Sequence, residues 1–190
     1  MATAEAREVA ALLCSTGVFL LSLVAGLMHP IPIEEVERQV SAVIEPATYA
    51  RDPISFTLGL LSAILYNNVG IAVRCVVLGP TLVYPLYVLH ANGYTIGSVV
   101  SYVGVRSLAL VPHGVLELPA IVYSGYVGSR LGLAVALSLA RRALGRGKGS
   151  APLLREFTRS LRDLRLAILF LAAAATVEVF VSLPLSQLLG

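Results

Sequence analysis

Apolar residues run through this chain in long blocks, and short polar stretches interrupt them. Five blocks are long enough to cross about 30 Å of hydrocarbon at 1.5 Å per helical residue: residues 9–28, 54–78, 81–104, 118–140 and 166–183. The first is uncharged, too long for a signal-peptide core and without a clear cleavage site, so it reads as a retained helix. Gly79-Pro80 separates the second block from the third. Pro184 suits the end of the fifth. The pattern predicts an all-α, polytopic membrane helix bundle in a single membrane domain, residues 1–190.

Two further stretches are apolar on one face only. In residues 32–45, Ile33, Val36, Val40, Val43 and Ile44 recur at helical spacing beside an acidic face. Pro32 suits a first helical position and Pro46 a stop. In residues 150–165, Leu153, Leu154, Phe157, Leu161 and Leu164 share one face and arginines the other. That segment is either a basic amphipathic surface helix on anionic headgroups or a linker helix entering the fifth span. Residues 145–150, Gly-Arg-Gly-Lys-Gly-Ser, read as a flexible linker before it.

Residues 107–117 are too short to cross a bilayer and too apolar for an ordinary loop. One helix over 107–140 would be roughly 51 Å long, well beyond the membrane. The segment therefore reads as a half-helix or re-entrant piece, with Pro112-His113-Gly114 near its turn. Such backbone is tolerated at depth only where protein or water covers it. Pro119 then falls in the first turn of the fourth span, where its missing N–H costs nothing.

Composition agrees with the pattern. The chain is 57% hydrophobic and only 13% charged, with a mean hydropathy of +0.83. That excludes an ordinary soluble domain. Charge adds an orientation. Arg141, Arg142, Arg146, Lys148, Arg155, Arg159, Arg162 and Arg165 crowd one loop, against Glu156 and Asp163. The loop after the first span is acidic, with Glu34, Glu35, Glu37, Glu45 and Asp52. Basic loops stay in the cytoplasm, so five spans put the N-terminus inside and the C-terminus outside. The two cysteines, Cys14 and Cys75, imply no disulfide framework and read as buried small side chains.

The candidate chemistry lies in the polar residues within the apolar blocks. Counted from the cytoplasmic end of each span, Arg130, Glu178, Asn67 and Asn68 fall at about 15–18 Å, near the midplane. Arg130 needs a partner at that depth, and Glu178 is the expected one. The pair is either part of a transport site or a structural clamp. Asn67 and Asn68 read as site residues or as interhelical hydrogen-bond glue. His113 and Glu117, at i and i+4, approach the layer if the re-entrant tip dips inward. Two ligands are too few for a metal site, and a hydrogen bond that pins the bend is the simpler account. No cofactor, metal or nucleic-acid partner is implied. Gly128, Gly132, Ala136 and Ala140 recur every four residues, a spacing that lets another backbone approach. That neighbour belongs to the same chain or to a second subunit in a homo-oligomer.

Three segments carry a family resemblance: Tyr66-Asn67-Asn68-Val69-Gly70-Ile71-Ala72, Pro112 to Ala120, and Ala174 to Pro184 with its lone Glu178. Gly128-Ser129-Arg130-Leu131-Gly132 is similar to the same family's glycine-flanked arginine. The chain resembles the stage II sporulation protein M family of multi-pass membrane proteins. In sporulating bacteria the namesake acts in engulfment, in a complex with peptidoglycan-degrading partners. The resemblance therefore implies a non-enzymatic membrane scaffold with an unknown protein partner. The polar layer by itself allows a transporter or channel. An intramembrane metal-dependent hydrolase using His113, Glu117 and Glu178 ranks third, because the sequence offers no paired-glutamate motif.

Overall fold

A computed structural model describes residues 2–145 and 151–189. Seven α-helices follow in order: α1 Ala2–Met28, α2 Ile33–Thr48, α3 Pro53–Val77, α4 Val83–Val103, α5 Val111–Ala143, α6 Ala151–Val177 and α7 Leu183–Leu189. A 3-10 turn, Gly79–Thr81, joins α3 to α4, and a 3-10 segment, Gly104–Leu110, leads into α5. A π-helical turn, Glu178–Ser182, links α6 to α7. Among the described residues there is no strand.

Four helices are long and apolar enough to cross a membrane, within Glu5–Met28, Pro53–Val77, Ser107–Ala143 and Pro152–Leu185. The expected third span, residues 81–104, forms α4 but is not among them. His90, Asn92, Tyr94, Thr95 and Ser98 lower its hydropathy. They are tolerated because the bundle satisfies them: Ser22 Oγ lies 2.8 Å from His90 Nδ1, and Asn92 donates to the Val88 carbonyl at 2.8 Å. α4 packs along α1 more closely than a side chain would allow. A Cβ on Gly93 or Gly97 would strike the α1 backbone at Phe19 or Leu23.

Several expected boundaries move. Residues 107–117 are no separate half-helix, because α5 runs unbroken from Val111 to Ala143 with Pro119 inside it. Pro112 takes the first-turn place instead, where its absent N–H is harmless. Pro46 lies within the last turn of α2 rather than ending it. The helical part of residues 150–165 is continuous with the last span, which favours the linker-helix reading. Its Glu156, Ser160 and Leu164 are buried against the bundle. Ser150 and most of the expected linker, residues 146–150, lie outside the described residues. Pro184 does not stop the chain either. A proline ring clashes with the carbonyl four residues back, and here the preceding turn widens to π before α7 continues.

The core joins Phe19 of α1, Ala72 and Val76 of α3, Leu89 of α4, Ile121, Val127 and Leu131 of α5, and Leu164 and Leu171 of α6. A second cluster, Ala47, Leu60, Ile64, Ala175 and Val179, ties α2 and α3 to the end of α6. Gly128 and Gly132 let α5 approach the end of α3, with a built Cβ on Gly128 only 2.9 Å from the Cys75 carbonyl carbon. Ala136 and Ala140, expected to continue that seam, are exposed. The seam serves a neighbour in the same chain where it is used. Cys75 is buried as expected, whereas Cys14 is exposed. Outward-facing apolar side chains such as Leu13, Leu21, Val83 and Leu169 form a surface suited to lipid.

Candidate functional site

The polar residues expected in one layer form two groups at different levels. α5 and α6 pack antiparallel, and their register decides which charges meet. Arg130 does not pair with Glu178. Its Nε lies 2.7 Å from Glu156 Oε1 as an ion contact, and its terminal nitrogen donates to Asp163 Oδ2 at 2.7 Å. It also donates to the Tyr126 hydroxyl at 3.3 Å. Arg7 donates to Glu156 at 2.5 Å, and Arg159 to Glu8 at 2.5 Å. Three arginines and three carboxylates thus balance across α1, α5 and α6. Arg130 is 1% exposed, and burial of a charge is tolerated only with such pairing. The depth count misplaced it because α6 begins at Ala151, not at residue 166. Glu156, Ser160 and Asp163, at i, i+4 and i+7 in a basic segment, are the sequence signal for its real partners.

Glu178 lies about 20 Å from Arg130 along α5, at the level of Glu117. Ligand atoms of His113, Glu117 and Glu178 all lie within 4.8 Å of one another. His113 Nε2 is 3.8 Å from Glu117 Oε2, and His113 Nδ1 is 2.9 Å from Ser182 Oγ. The Asn68 side chain stands beside the Glu117 carboxylate, and Asn67 donates to Asn68 Oδ1 at 3.2 Å. The two asparagines are therefore brought to Glu117, not to Arg130. The trio comes from two places. Helical i, i+4 spacing puts His113 and Glu117 on one face of α5. The π-helical turn carries both Glu178 and Ser182, and π turns recur at functional sites. Ser182 is 2% exposed and no sequence pattern singled it out.

The trio lines a cavity of about 910 Å³ between α2, α3, α4 and the start of α5. Val40, Val43 and Ile44 of α2 form part of its apolar wall, and Gln39, Asn67, Asn68, Asn92 and Thr95 are among its polar groups. Thr95 donates to Gln39 at 3.3 Å, tying α2 to α4 at the rim. Among the described residues no Lys or Arg lines it, and no titratable group beyond the three. Gly114, Val115 and Pro119 also line it. Pro119 supplies no N–H for the Val115 carbonyl. A concave site of this size with a few convergent polar groups is where small ligands bind. Its net charge favours a cation.

The chain is similar to "Uncharacterized protein MJ0706" of Methanocaldococcus jannaschii, 25% identical over 134 residues, which are 70% of this chain and 60% of that protein. The chain thus spans less than two thirds of the length of this relative. No solved structure matches. The family model for stage II sporulation protein M matches residues 10–183, which include His113, Glu117 and Glu178, so the chain belongs to that family of membrane proteins.

Proposed function

We propose that this multi-pass membrane protein takes a small cation or cationic solute into the cavity beside His113, Glu117 and Glu178 and passes it across the membrane. One observation carries the reading: two carboxylates and an imidazole converge on a cavity that, among the described residues, no basic side chain lines. Ionisable groups in an apolar bundle mark ion and substrate paths. The scaffold reading rests first on the family resemblance, and an Arg130–Glu178 pair would have closed the polar layer internally as well. Arg130 is instead satisfied about 20 Å further along α5 by Glu156 and Asp163, and Glu178 stays with Glu117. Hydrolysis is disfavoured for a different reason. Among the described residues the cavity wall has no fourth titratable group, so a metal held by the three would leave none of them as a separate general base.

The test is flux in liposomes. Purified protein should move a cation under a gradient, and Glu117→Gln should abolish movement while its helical content and melting temperature persist. A well-folded protein that moves no monovalent or divalent cation from acidic to neutral pH would sink the transport reading. It would favour a scaffold instead, for which the exposed Glu34, Glu37 and Val40 on α2 offer a contact surface.

A further inference from the structure

We infer that His113, Glu117 and Glu178 form a binding site for one divalent first-row transition-metal cation, through His113 Nε2 and one oxygen of each glutamate. The inference rests on the reading of the cavity as a cation site and names its ligand. The ligand atoms already lie within 4.8 Å of one another. Bonds near 2.1 Å to a tetrahedral ion place ligand atoms roughly 3.4 Å apart, and small side-chain rotations close that gap.

The surroundings prepare the donors. His113 Nδ1 lies 2.9 Å from Ser182 Oγ, and in the tautomer that donates Nδ1–H there the Nε2 lone pair is left for a metal beside Glu117. Metal-bound histidines are oriented in this way by an outer partner. The Asn68 amide stands beside the Glu117 carboxylate. No side-chain hydrogen bond or ion pair holds the Glu178 carboxylate among the described residues, although it faces Glu117. Two facing carboxylates without a basic neighbour need a cation if both are to stay charged.

The donor set selects the metal class. One imidazole nitrogen with two carboxylates suits Zn²⁺, Mn²⁺ or Fe²⁺. Neither cysteine lines the cavity, so a soft monovalent copper site is not built. Mg²⁺ and Ca²⁺ prefer all-oxygen ligands in larger number. Three protein ligands leave room for water, which suits a cation that binds and leaves.

Isothermal titration calorimetry on metal-stripped full-length protein in detergent tests this, with Zn²⁺ and Mn²⁺ as probes and Mg²⁺ as the control. One Zn²⁺ or Mn²⁺ per chain is expected. His113→Gln, Glu117→Gln and Glu178→Gln should each weaken binding at least ~100-fold, and Ser182→Ala ~10–100-fold. Glu34→Gln on the exposed face of α2 should change nothing. Metal should raise the melting temperature of the wild-type protein and not of the three ligand variants. Absence of saturable binding by folded wild-type protein, or wild-type affinity in folded Glu178→Gln, would overturn the site. Mg²⁺ binding as tightly as Mn²⁺ would overturn the metal class. Binding without liposome flux would uphold the site and remove the transport reading. Flux of a monovalent cation with no metal binding would do the reverse.

Discussion

Arg130 and Asp163 meet at 2.7 Å across α5 and α6, with Glu156 on the other side of the same guanidinium. This contact sets the register between two antiparallel helices. The same register then brings Glu178 level with Glu117 and Ser182 level with His113. A charge cluster at one end of the bundle therefore aligns the candidate site at the other.

Breaking the cluster from one side should be costly. Asp163→Asn or Glu156→Gln leaves the buried Arg130 charge partly unpaired, a loss of about 3–5 kcal/mol for a fully broken buried pair. Thermal or denaturant unfolding in detergent measures it. Arg130 and Glu178 should show no coupling: a double-mutant cycle between them should be additive within about 0.5 kcal/mol. A coupling of 2 kcal/mol would contradict the register.

The α1–α4 seam predicts a second effect. A Cβ at Gly97 would come within 2.9 Å of the Leu27 backbone nitrogen and closer still to the Leu23 carbonyl oxygen. Gly97→Ala should therefore destabilise by about 1–3 kcal/mol, the usual cost of overpacking. Gly17→Ala, where nothing stands within 4 Å, should be neutral or slightly stabilising. Comparable melting temperatures for both variants would show that the seam is loose.

Helix direction gives a topology. Arg7 of α1 meets Glu156 of α6, and Ser182 meets His113 at the opposite end. The basic end should face the cytoplasm, with α2 outside. In a variant whose Cys14 is replaced, a cysteine at Glu37 should label from outside intact cells. One at Arg142 should label only after permeabilisation. The reverse pattern would invert the molecule.

Asp52 caps α3 and accepts the Ser55 backbone N–H at 2.9 Å. Hydrogen bonds from Ser55 hold its carboxyl below the ordinary aspartate value. A depressed folded-state pKa contributes stability above the unfolded value, and that contribution is lost as pH falls through the folded one. Acidification should fray the first turn of α3, read by amide exchange at residues 54–57. Asp52→Asn should keep the cap and lose its pH dependence. Equal acid sensitivity in both proteins would assign the effect elsewhere.

The helical class and the membrane setting were legible in the pattern, since both follow from local periodicity and block length. So were α2, with its one-sided Val36 and Val43, and the candidacy of His113, Glu117, Glu178 and Arg130. Each is a charge or imidazole in an apolar helix, and that cost is visible without coordinates. Which of them meet was not legible. Depth counts assume straight spans with known ends, and a start at Ala151 instead of residue 166 shifts α6 by four turns. That shift gave Arg130 to Glu156 and Asp163 and left Glu178 to Glu117. Pro112 and Pro119 suggested a broken segment, yet packing of α5 on four neighbouring helices held the helix through both. Ser182 and the π turn that carries it depend on how the chain passes Pro184. No local pattern encodes that choice, because the competing backbone paths differ only in the tertiary contacts they make.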